Sequence, residues 1–266
     1  MDYTYRDILN CYKKLGIKKG QVISLKTDLT CLGQFEATDK NKILDGHLNA
    51  LADTVDLDQG TIVVPTSSTG LCNTKRTFDL NETPSEAGVL TEFIRCRKDS
   101  VRSFHPFESY AAIGKEKGRV CEFNSRHSYG FESPEDRMLD MDGILISIGL
   151  HPRFTATVIH HAEMLAGVPY RYIKEYYHPV IRGKQLIYEN FYRHALYVDS
   201  KIKKDVNRKI FSEFEIEENA LKVASLGRSK VYSVSLRKLF SFLMKKFQED
   251  IYIYLETPPE NRPYRI

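Results

Sequence analysis

The sequence lacks several features that would place it in a specialised class of protein. Its 266 residues contain no tryptophan and only five cysteines, none in C-x-x-C spacing. An odd, scattered set of cysteines argues against a disulfide framework and a zinc site, so we expect no metal. No apolar run is long enough to cross a bilayer, and the N-terminus has no basic start followed by an apolar segment. These absences predict a cytoplasmic protein that does not act in a membrane.

The charge is too small and too dispersed for a nucleic-acid-binding protein. Lysine and arginine number 39 against 35 acidic residues, a net charge of +4 without a concentrated basic patch. We therefore expect no nucleic-acid partner. The mild excess would attract anionic small molecules, although solvated helix faces around residues 201–204 and 245–246 account for it equally well.

Short apolar runs alternate with amphipathic segments through residue 167. The runs predict strands near 22–29, 60–66, 109–114 and 144–148, and the amphipathic segments predict helices near 3–15, 44–51, 83–97 and 155–167. This alternation predicts an α/β fold, a three-layer sandwich with a mixed central sheet and helices on both faces.

Beyond residue 169 the pattern changes. Tyrosine-rich runs on both sides of Gly183-Lys184 predict a β-hairpin. A helix near 201–215, paired strands around Gly227 and an amphipathic helix near 235–254 should follow. We thus predict a core of residues 1–168 and a smaller antiparallel β/α elaboration of residues 169–266.

Polar residues concentrate in one segment of the core. Thr83-Pro84-Ser85-Glu86 is typical of a helix start, with Thr83 as the cap and Pro84 in the first turn, so we expect a helix that continues to about Arg97. Residues 102–105, Arg-Ser-Phe-His, then place a cation, a hydroxyl and an imidazole close together. Such a set suits an anionic ligand.

A second polar group follows the predicted strand at 144–148. Thr157, His160 and Glu163 are three residues apart, so on a helix they share one face. A hydroxyl, a base and a carboxylate then lie at the carboxyl end of a strand, where open α/β sheets bind ligands. Thr66 and Ser68 follow another strand and belong to the same expected edge.

These segments together resemble a known family. The runs TPSEAGVLTEFIR, SVRSFHPFESYAAIG, SYGFESPEDRML and ILISIGL, followed by TATVIHHAE and VPYR, resemble the aminoglycoside 3-N-acetyltransferase family over about residues 5–180. The resemblance implies an acyl-CoA-dependent N-acyltransferase that modifies an amino sugar, with acyl-CoA as its co-substrate and no metal. It also implies that residues 169–266 complete the acceptor pocket and the sheet.

The resemblance assigns roles to individual residues. It implies that His160 is the general base or orients it, while Glu163 or Asp79 holds the histidine tautomer or binds the acceptor amine. The departing thiolate of CoA can also collect the amine proton. The implied CoA contacts are Thr27, Gly33, Thr66, Ser68, Ser85, Arg102, Ser103, His105 and Thr157. The implied acceptor contacts are Asp79, Glu92, Tyr129 and Glu163.

One segment departs from the family. Where relatives carry a His-Ser-Ser-Leu-type turn that helps to hold CoA, this chain has Lys26, Thr27 and Asp28. Thr27 keeps a hydroxyl, but the carboxylate of Asp28 would repel a phosphate.

The acceptor itself is open at the level of sequence. The net positive charge favours a nucleotide-linked deoxy-amino sugar, of the kind used in surface glycans. The alternative is an aminoglycoside antibiotic modified at its 3-amino group, which acidic pocket walls would favour. A third hypothesis is a non-catalytic binding module. The acyl group and a homo-oligomeric state are also left open.

Overall fold

The computed structural model describes residues 1–123, 125–197, 203–204, 208–218 and 220–257. The strands are β1 Val22–Thr27, β2 Thr61–Pro65, β3 Val101–Arg102, β4 Tyr110–Gly114, β5 Ile144–Ile148, β6 Arg171–Arg182, β7 Gln185–Leu196, β8 Lys203–Lys204, β9 Lys222–Leu226, β10 Ser229–Ser235 and β11 Leu255–Thr257. The α-helices are α1 Tyr5–Leu15, α2 Lys40–Val55, α3 Val89–Arg95, α4 Lys117–Cys121, α5 Pro134–Asp140, α6 Pro152–Thr155, α7 Val158–Ala166, α8 Arg208–Glu218 and α9 Leu236–Glu249.

Seven strands form the central sheet, in the order β3-β4-β2-β1-β5-β10-β9. The three central strands, β2, β1 and β5, are parallel, and the flanking strands pair antiparallel. The carboxyl ends of the parallel strands therefore meet at one edge of the sheet. The predicted mixed sheet is confirmed.

Helices cover both faces of this sheet. Helices α1, α2 and α3 pack on one face around residues such as Ile8, Leu48 and Ile94. Helices α4, α5, α7, α8 and α9 contribute to the core on the other face, with Val158 and Leu243 near its centre. This arrangement confirms the three-layer α/β sandwich.

Strand β1 sends alternate side chains to the two layers. Ile23 and Leu25 belong to the core beneath α1 and α2, whereas Val22 belongs to the core on the opposite face. By the same alternation Lys26 points to the face of α5 and α7. A lysine at the carboxyl end of a central strand thus lies below the helix that carries His160.

The predicted hairpin is present as a separate two-stranded sheet. Strands β6 and β7 pair antiparallel along their whole length, and Gly183 has φ 63° in the two-residue turn. Buried aromatic and aliphatic residues hold the hairpin against the main body; they are Leu71, Phe78, Phe104, Phe107, Val180 and Phe191. The hairpin therefore has its own small core.

The later elements return to the central sheet. Strands β9 and β10 flank Gly227 as predicted, and β10 pairs with β5. The helix predicted at 201–215 is present as α8 from Arg208 onwards but is wrong at Lys203–Lys204, which form strand β8, while residues 201–202 and 205–207 lie outside the described residues. The division at residue 168 remains a prediction.

The helix predicted to start at Thr83 is wrong in its first part. The Thr83 hydroxyl accepts a hydrogen bond from the backbone N–H of Asp79 (2.8 Å), and the Glu86 carboxylate accepts one from that of Gly70 (3.0 Å). Gly88 then has φ 129°, a value that few side chains tolerate. Helix α3 consequently begins only at Val89.

Within the described parts of the chain, no helix is both long and apolar enough to cross a membrane.

Candidate active site

The first turn of α7 places His160 beside a buried carboxylate. Glu163 follows one turn later, and its Oε2 atom lies 2.8 Å from His160 Nδ1. The predicted shared face of these two residues is therefore present. Glu163 is 0% exposed and His160 is 30% exposed, so only the histidine opens towards a ligand.

Arg171, from the start of β6, completes this group. Its Nε lies 2.7 Å from Glu163 Oε2, and its Nη2 lies 3.2 Å from His160 Nδ1. The Arg171 side chain is 5% exposed. The first residue of the hairpin thus supplies the cation that compensates a carboxylate on α7.

These contacts restrict the roles of the two ring nitrogens of His160. Burial alone would raise the pKa of Glu163, but the hydrogen bond and charge of His160 and the charge of Arg171 outweigh it and lower that pKa. The carboxylate of Glu163 can only accept a hydrogen bond and the guanidinium of Arg171 can only donate one, so Nδ1 donates to Glu163 in one tautomer and accepts from Arg171 in the other. In the tautomer that donates to Glu163, Nε2 is the nitrogen that can take a proton.

Tyr129 forms a wall beside this histidine. Its ring centroid lies 5.6 Å from that of His160, and the side chain is buried. Burial raises the pKa of Tyr129 well above its ordinary value, so the phenol stays neutral. The predicted acceptor contact therefore lies next to the predicted base.

A second polar group lies at the start of α7. The Tyr110 hydroxyl donates to Glu135 Oε2 (2.7 Å), and the Thr157 hydroxyl is 3.1 and 3.2 Å from the two Glu135 oxygens. Glu135 is buried in the first turn of α5, which Ser133 caps and Pro134 begins. Thr157, a predicted CoA contact, is therefore already bound to a carboxylate.

Arg102, predicted to bind a phosphate, makes its hydrogen bonds to groups inside the protein. It is buried and donates to the backbone oxygens of Thr66 (2.8 Å) and Leu80 (3.2 Å) and to the Ser109 hydroxyl (3.0 Å). The Cζ atom of the Arg102 guanidinium lies 5.1 Å from the centroid of the Phe78 ring. Burial lowers the pKa of Arg102 to about 10.

Four more predicted CoA contacts are buried with internal partners. Thr66 shares a hydrogen bond with Ser109 (2.8 Å), and Ser68 donates to the Pro106 oxygen (3.0 Å). Ser103 accepts from the backbone N–H of Tyr110 (2.9 Å). His105 accepts from that of Glu108 (3.1 Å), and burial lowers its pKa to about 4.

Two other predicted CoA contacts border open space. Gly33 lines a cavity of about 420 Å³, Ser85 lines one of about 530 Å³, and the two cavities adjoin at Lys40, Leu44 and Val89. Thr27 is half-buried and is the last residue of β1. The substituted Asp28 caps the following turn by accepting from Thr30 N–H (3.0 Å).

Asp79 and Glu92, two of the acidic residues predicted to bind the acceptor, have partners other than His160. Asp79 accepts hydrogen bonds from the backbone of Asn81 (2.8 Å) and Glu82 (3.1 Å). Glu92 accepts from Ser85 N–H (2.7 Å) and pairs with Arg95 (2.7 Å). The hydrogen bond from Arg95 is the largest cause that lowers the pKa of Glu92 to about 2.

Sequence reasoning missed the partners that come from other elements. Arg171 stands in the VPYR run and Glu135 in the SPED run, both part of the family resemblance, but no local pattern marks either as a site residue. Tyr110 begins β4, and Lys26 stands where the chain departs from the family. Among the described residues, no group of three or more histidine, cysteine, aspartate or glutamate side chains could hold a metal ion.

Comparisons with known proteins show which proteins this chain is similar to. The family model described as aminoglycoside 3-N-acetyltransferase matches residues 25–248. The chain is 25% identical over 199 residues to aminoglycoside N(3)-acetyltransferase III of Pseudomonas aeruginosa, covering 70% of this chain and 73% of that protein. It is 25% identical over 266 residues to the prophage-derived aminoglycoside N(3')-acetyltransferase-like protein YokD of Bacillus subtilis, covering 92% of each.

A solved structure shares the fold. The structure of AAC-IIIb with CoASH has a TM-score of 0.80 at 20% identity and covers 96% of this chain and 99% of that chain.

Proposed function

Because this chain belongs to the aminoglycoside 3-N-acetyltransferase family, we propose that it transfers an acetyl group from acetyl-CoA to the 3-amino group of an aminoglycoside. Membership makes the protein an acyl-CoA-dependent N-acyltransferase, and the acetyl group and the acceptor are the proposed parts. The observation that carries the proposal is the His160–Glu163 pair, in which a buried carboxylate fixes a histidine that opens outward.

The pair suits proton removal from an amine. An amine attacks a thioester only when it is unprotonated, so a base must take a proton before or during attack. His160 Nε2 takes that proton, and Glu163 stabilises the imidazolium that forms. The nitrogen then bonds to the acyl carbon, the carbon–sulfur bond breaks, and CoA leaves as a thiolate that is protonated in turn.

Two ion pairs lie close to Tyr129 and His160. Glu163 pairs with Arg171, and Glu108 pairs with Arg193 at 2.9 Å. Neither arginine is left free for the phosphates of a nucleotide-linked sugar. Together with the names of the relatives, the pairing of both arginines favours the aminoglycoside over the nucleotide-linked acceptor that the overall charge suggested.

A thiol-release assay tests the proposal. Acetyl-CoA is offered with a panel of aminoglycosides and with a panel of nucleotide-linked amino sugars, and product is located by NMR. We expect release only with aminoglycosides, and acetylation at the 3-amino group. Release only with nucleotide-linked sugars would contradict the proposed acceptor, and release with neither panel would contradict the proposed function.

The same assay with His160→Ala tests the role of the pair. We expect kcat to fall on the order of 10²–10⁴-fold, the usual contribution of a general base. The matched control is His151→Ala, because His151 also pairs with a glutamate, Glu215, at 3.0 Å but caps α6 instead. An unchanged kcat in His160→Ala would leave proton removal to the CoA thiolate.

A further inference from the structure

A buried polar cluster lies beneath the start of α7, apart from the His160–Glu163 pair. It consists of Lys26, Tyr110, Glu135 and Thr157, and we call it the Lys26 cluster. The Lys26 Nζ atom lies 5.2 Å from the centroid of the Tyr110 ring, and the Tyr110 hydroxyl lies 3.2 Å from that of Thr157. Thr157 precedes His160 by three residues, so the cluster adjoins the base.

The two hydroxyl protons of this cluster are already committed. Tyr110 and Thr157 each have one proton to donate, and both hydroxyls lie within hydrogen-bond distance of Glu135. Burial raises the pKa of Tyr110 well above its ordinary value, so its proton stays in place. Thr157, which the family resemblance implies as a contact of the thioester oxygen, therefore has no proton left to donate to it.

Lys26 is the member with unused donors. The residue is 6% exposed, and its Nζ has no hydrogen-bond partner within the described part of the chain. A buried ammonium without acceptors is costly, and the charge of Glu135 compensates it only in part. Other buried cations here have an acceptor or a close carboxylate: Arg102 donates to backbone carbonyls, and Arg171 forms an ion pair with Glu163.

The reaction needs such a donor. As the amine attacks, the thioester carbonyl oxygen gains negative charge, and a positioned donor stabilises it best where water is excluded. Lys26 stands at the carboxyl edge of the sheet, on the face that carries His160, with an unsatisfied ammonium group.

We propose that Lys26 donates a hydrogen bond to the carbonyl oxygen of the bound acyl thioester and stabilises the oxyanion that forms there. This role rests on the proposed N-acyltransferase function. Lys26 keeps its proton throughout: the carbon–nitrogen bond forms, the oxyanion collapses, and the carbon–sulfur bond breaks. Burial lowers the pKa of Lys26 to about 8, so the ammonium is present at neutral pH and is lost in mild alkali.

Binding of [1-¹³C]acetyl-CoA, without any acceptor, tests this role. We expect the carbonyl ¹³C signal to move downfield on binding to the wild-type protein and to stay near its free position in Lys26→Met. We also expect Lys26→Met to lose ~10-fold or more of the preference for acetyl-CoA over CoASH in calorimetry, since a charged hydrogen bond contributes roughly 1.5–3 kcal/mol.

Ser24→Ala is the matched control. Ser24 lies on the same face of β1, is buried, and also has no partner for its Oγ atom in the described chain, but it lies one alternation further from the carboxyl edge. The variant should bind with the wild-type carbonyl shift. A bound carbonyl signal in Lys26→Met that still lies at the downfield wild-type position would overturn the proposal, because replacing a merely structural lysine would leave that shift in place.

A pH series on the wild type decides the question if Lys26→Met does not fold. The downfield shift should disappear as the pH rises through about 8, and a shift that is constant up to pH 9.5 would overturn the proposal. Failure to bind acetyl-CoA would overturn both this role and the proposed function. A Lys26-dependent shift without turnover of any aminoglycoside would support this role and reject only the proposed acceptor.

Discussion

Arg171 and His160 both contact the single carboxylate of Glu163, and this arrangement decides how His160 is held. Glu163→Gln keeps the size of the side chain but removes the charge that Arg171 and His160 share. Glutamine can still accept from Nδ1, yet it stabilises an imidazolium far less. We expect kcat to fall ~10²-fold or more, within the range of general-base effects, while the KM for acetyl-CoA changes little.

The same substitution should also reduce stability. Removing one partner of a buried ion pair leaves Arg171 uncompensated, a change that costs about 3–5 kcal/mol. The free energy of unfolding from denaturant titration measures this loss. Glu189→Gln is the control, since Glu189 pairs with the more exposed Arg126 and Arg182. A variant with wild-type kcat and stability would show that Glu163 does not organise the site.

Arg102 offers a direct choice between a structural and a ligand-binding role. The sequence predicted a phosphate contact, but the guanidinium donates to backbone carbonyls from two separate loops. Arg102→Met should therefore lower the free energy of unfolding by about 2–4 kcal/mol, because buried carbonyls lose their donors. The Kd for CoA should change less than about threefold, which is under 1 kcal/mol.

The control for this prediction is Arg228→Met. Arg228 is largely exposed and pairs with Asp2 at 3.0 Å, so its loss should barely change stability. If Arg102→Met instead kept its stability and bound CoA far more weakly, the original phosphate role would be correct.

Spacing along one element made part of the site predictable. His160 and Glu163 are i and i+3 on a single helix, so their contact follows from helix geometry. Arg171 reaches the same carboxylate from the hairpin, and Glu135 meets Tyr110 and Thr157 from three different elements. Such contacts depend on how the elements pack, and no local pattern in the sequence encodes it.

At the scale of whole elements, strong periodicity and turn residues located the strands and the hairpin turn better than the ends of the helices, since α2 is Lys40–Val55 instead of 44–51 and α9 ends at Glu249 instead of 254. Strand β5 occupies the predicted residues, and the hairpin turns at Gly183-Lys184 as its glycine indicates. The predicted helix start at Thr83 failed because the same residue types can serve other bonds. Thr83 closes a turn with Asp79, and Glu86 reaches across to Gly70. A capping pattern therefore predicts a helix only when its side chains have no better partner outside the segment.

The hairpin docks through histidines whose protonation should loosen it. His105 packs on Phe107 and Phe191, and His178 packs on Phe107. Burial lowers the pKa of both histidines, that of His105 to about 4. A depressed folded-state pKa means that the unfolded chain binds protons first. Stability is then complete above the unfolded pKa of 6.5 and is lost as the pH falls towards 4.

His105→Asn tests this acid sensitivity. Asparagine can accept the backbone hydrogen bonds but does not titrate. Between pH 6.5 and 4.5 we expect the wild type to lose up to about 3 kcal/mol more of its free energy of unfolding than the variant does, at about 1.4 kcal/mol per pKa unit. Parallel pH profiles of unfolding for the two proteins would contradict a neutral buried His105.

At the scale of the molecule, the sheet order explains where the site forms. Three parallel strands in the centre bring their carboxyl ends to one edge, and antiparallel strands close the sheet on both sides. Lys26, Thr66 and the loop before α7 meet there because each follows or ends a central strand. The alternation of strands and helices predicted this edge, but not the order of the strands along it.

The net charge of +4 should act on the two proposed substrates in opposite directions. Acetyl-CoA carries phosphates and an aminoglycoside carries several ammonium groups, so long-range attraction favours the first and opposes the second. Salt screens both effects, since the Debye length is ~30 Å at 0.01 M and ~8 Å at 0.15 M. We expect kcat/KM for acetyl-CoA to fall several-fold over that range, while kcat/KM for the aminoglycoside stays level or rises.

S-acetylpantetheine, which has no phosphate, provides the salt-independent baseline. If acetyl-CoA behaved like this baseline, the field of the whole molecule would have no part in its capture. If the acceptor's kcat/KM fell in parallel with that of acetyl-CoA, the acceptor would be an anion, as a nucleotide-linked sugar is.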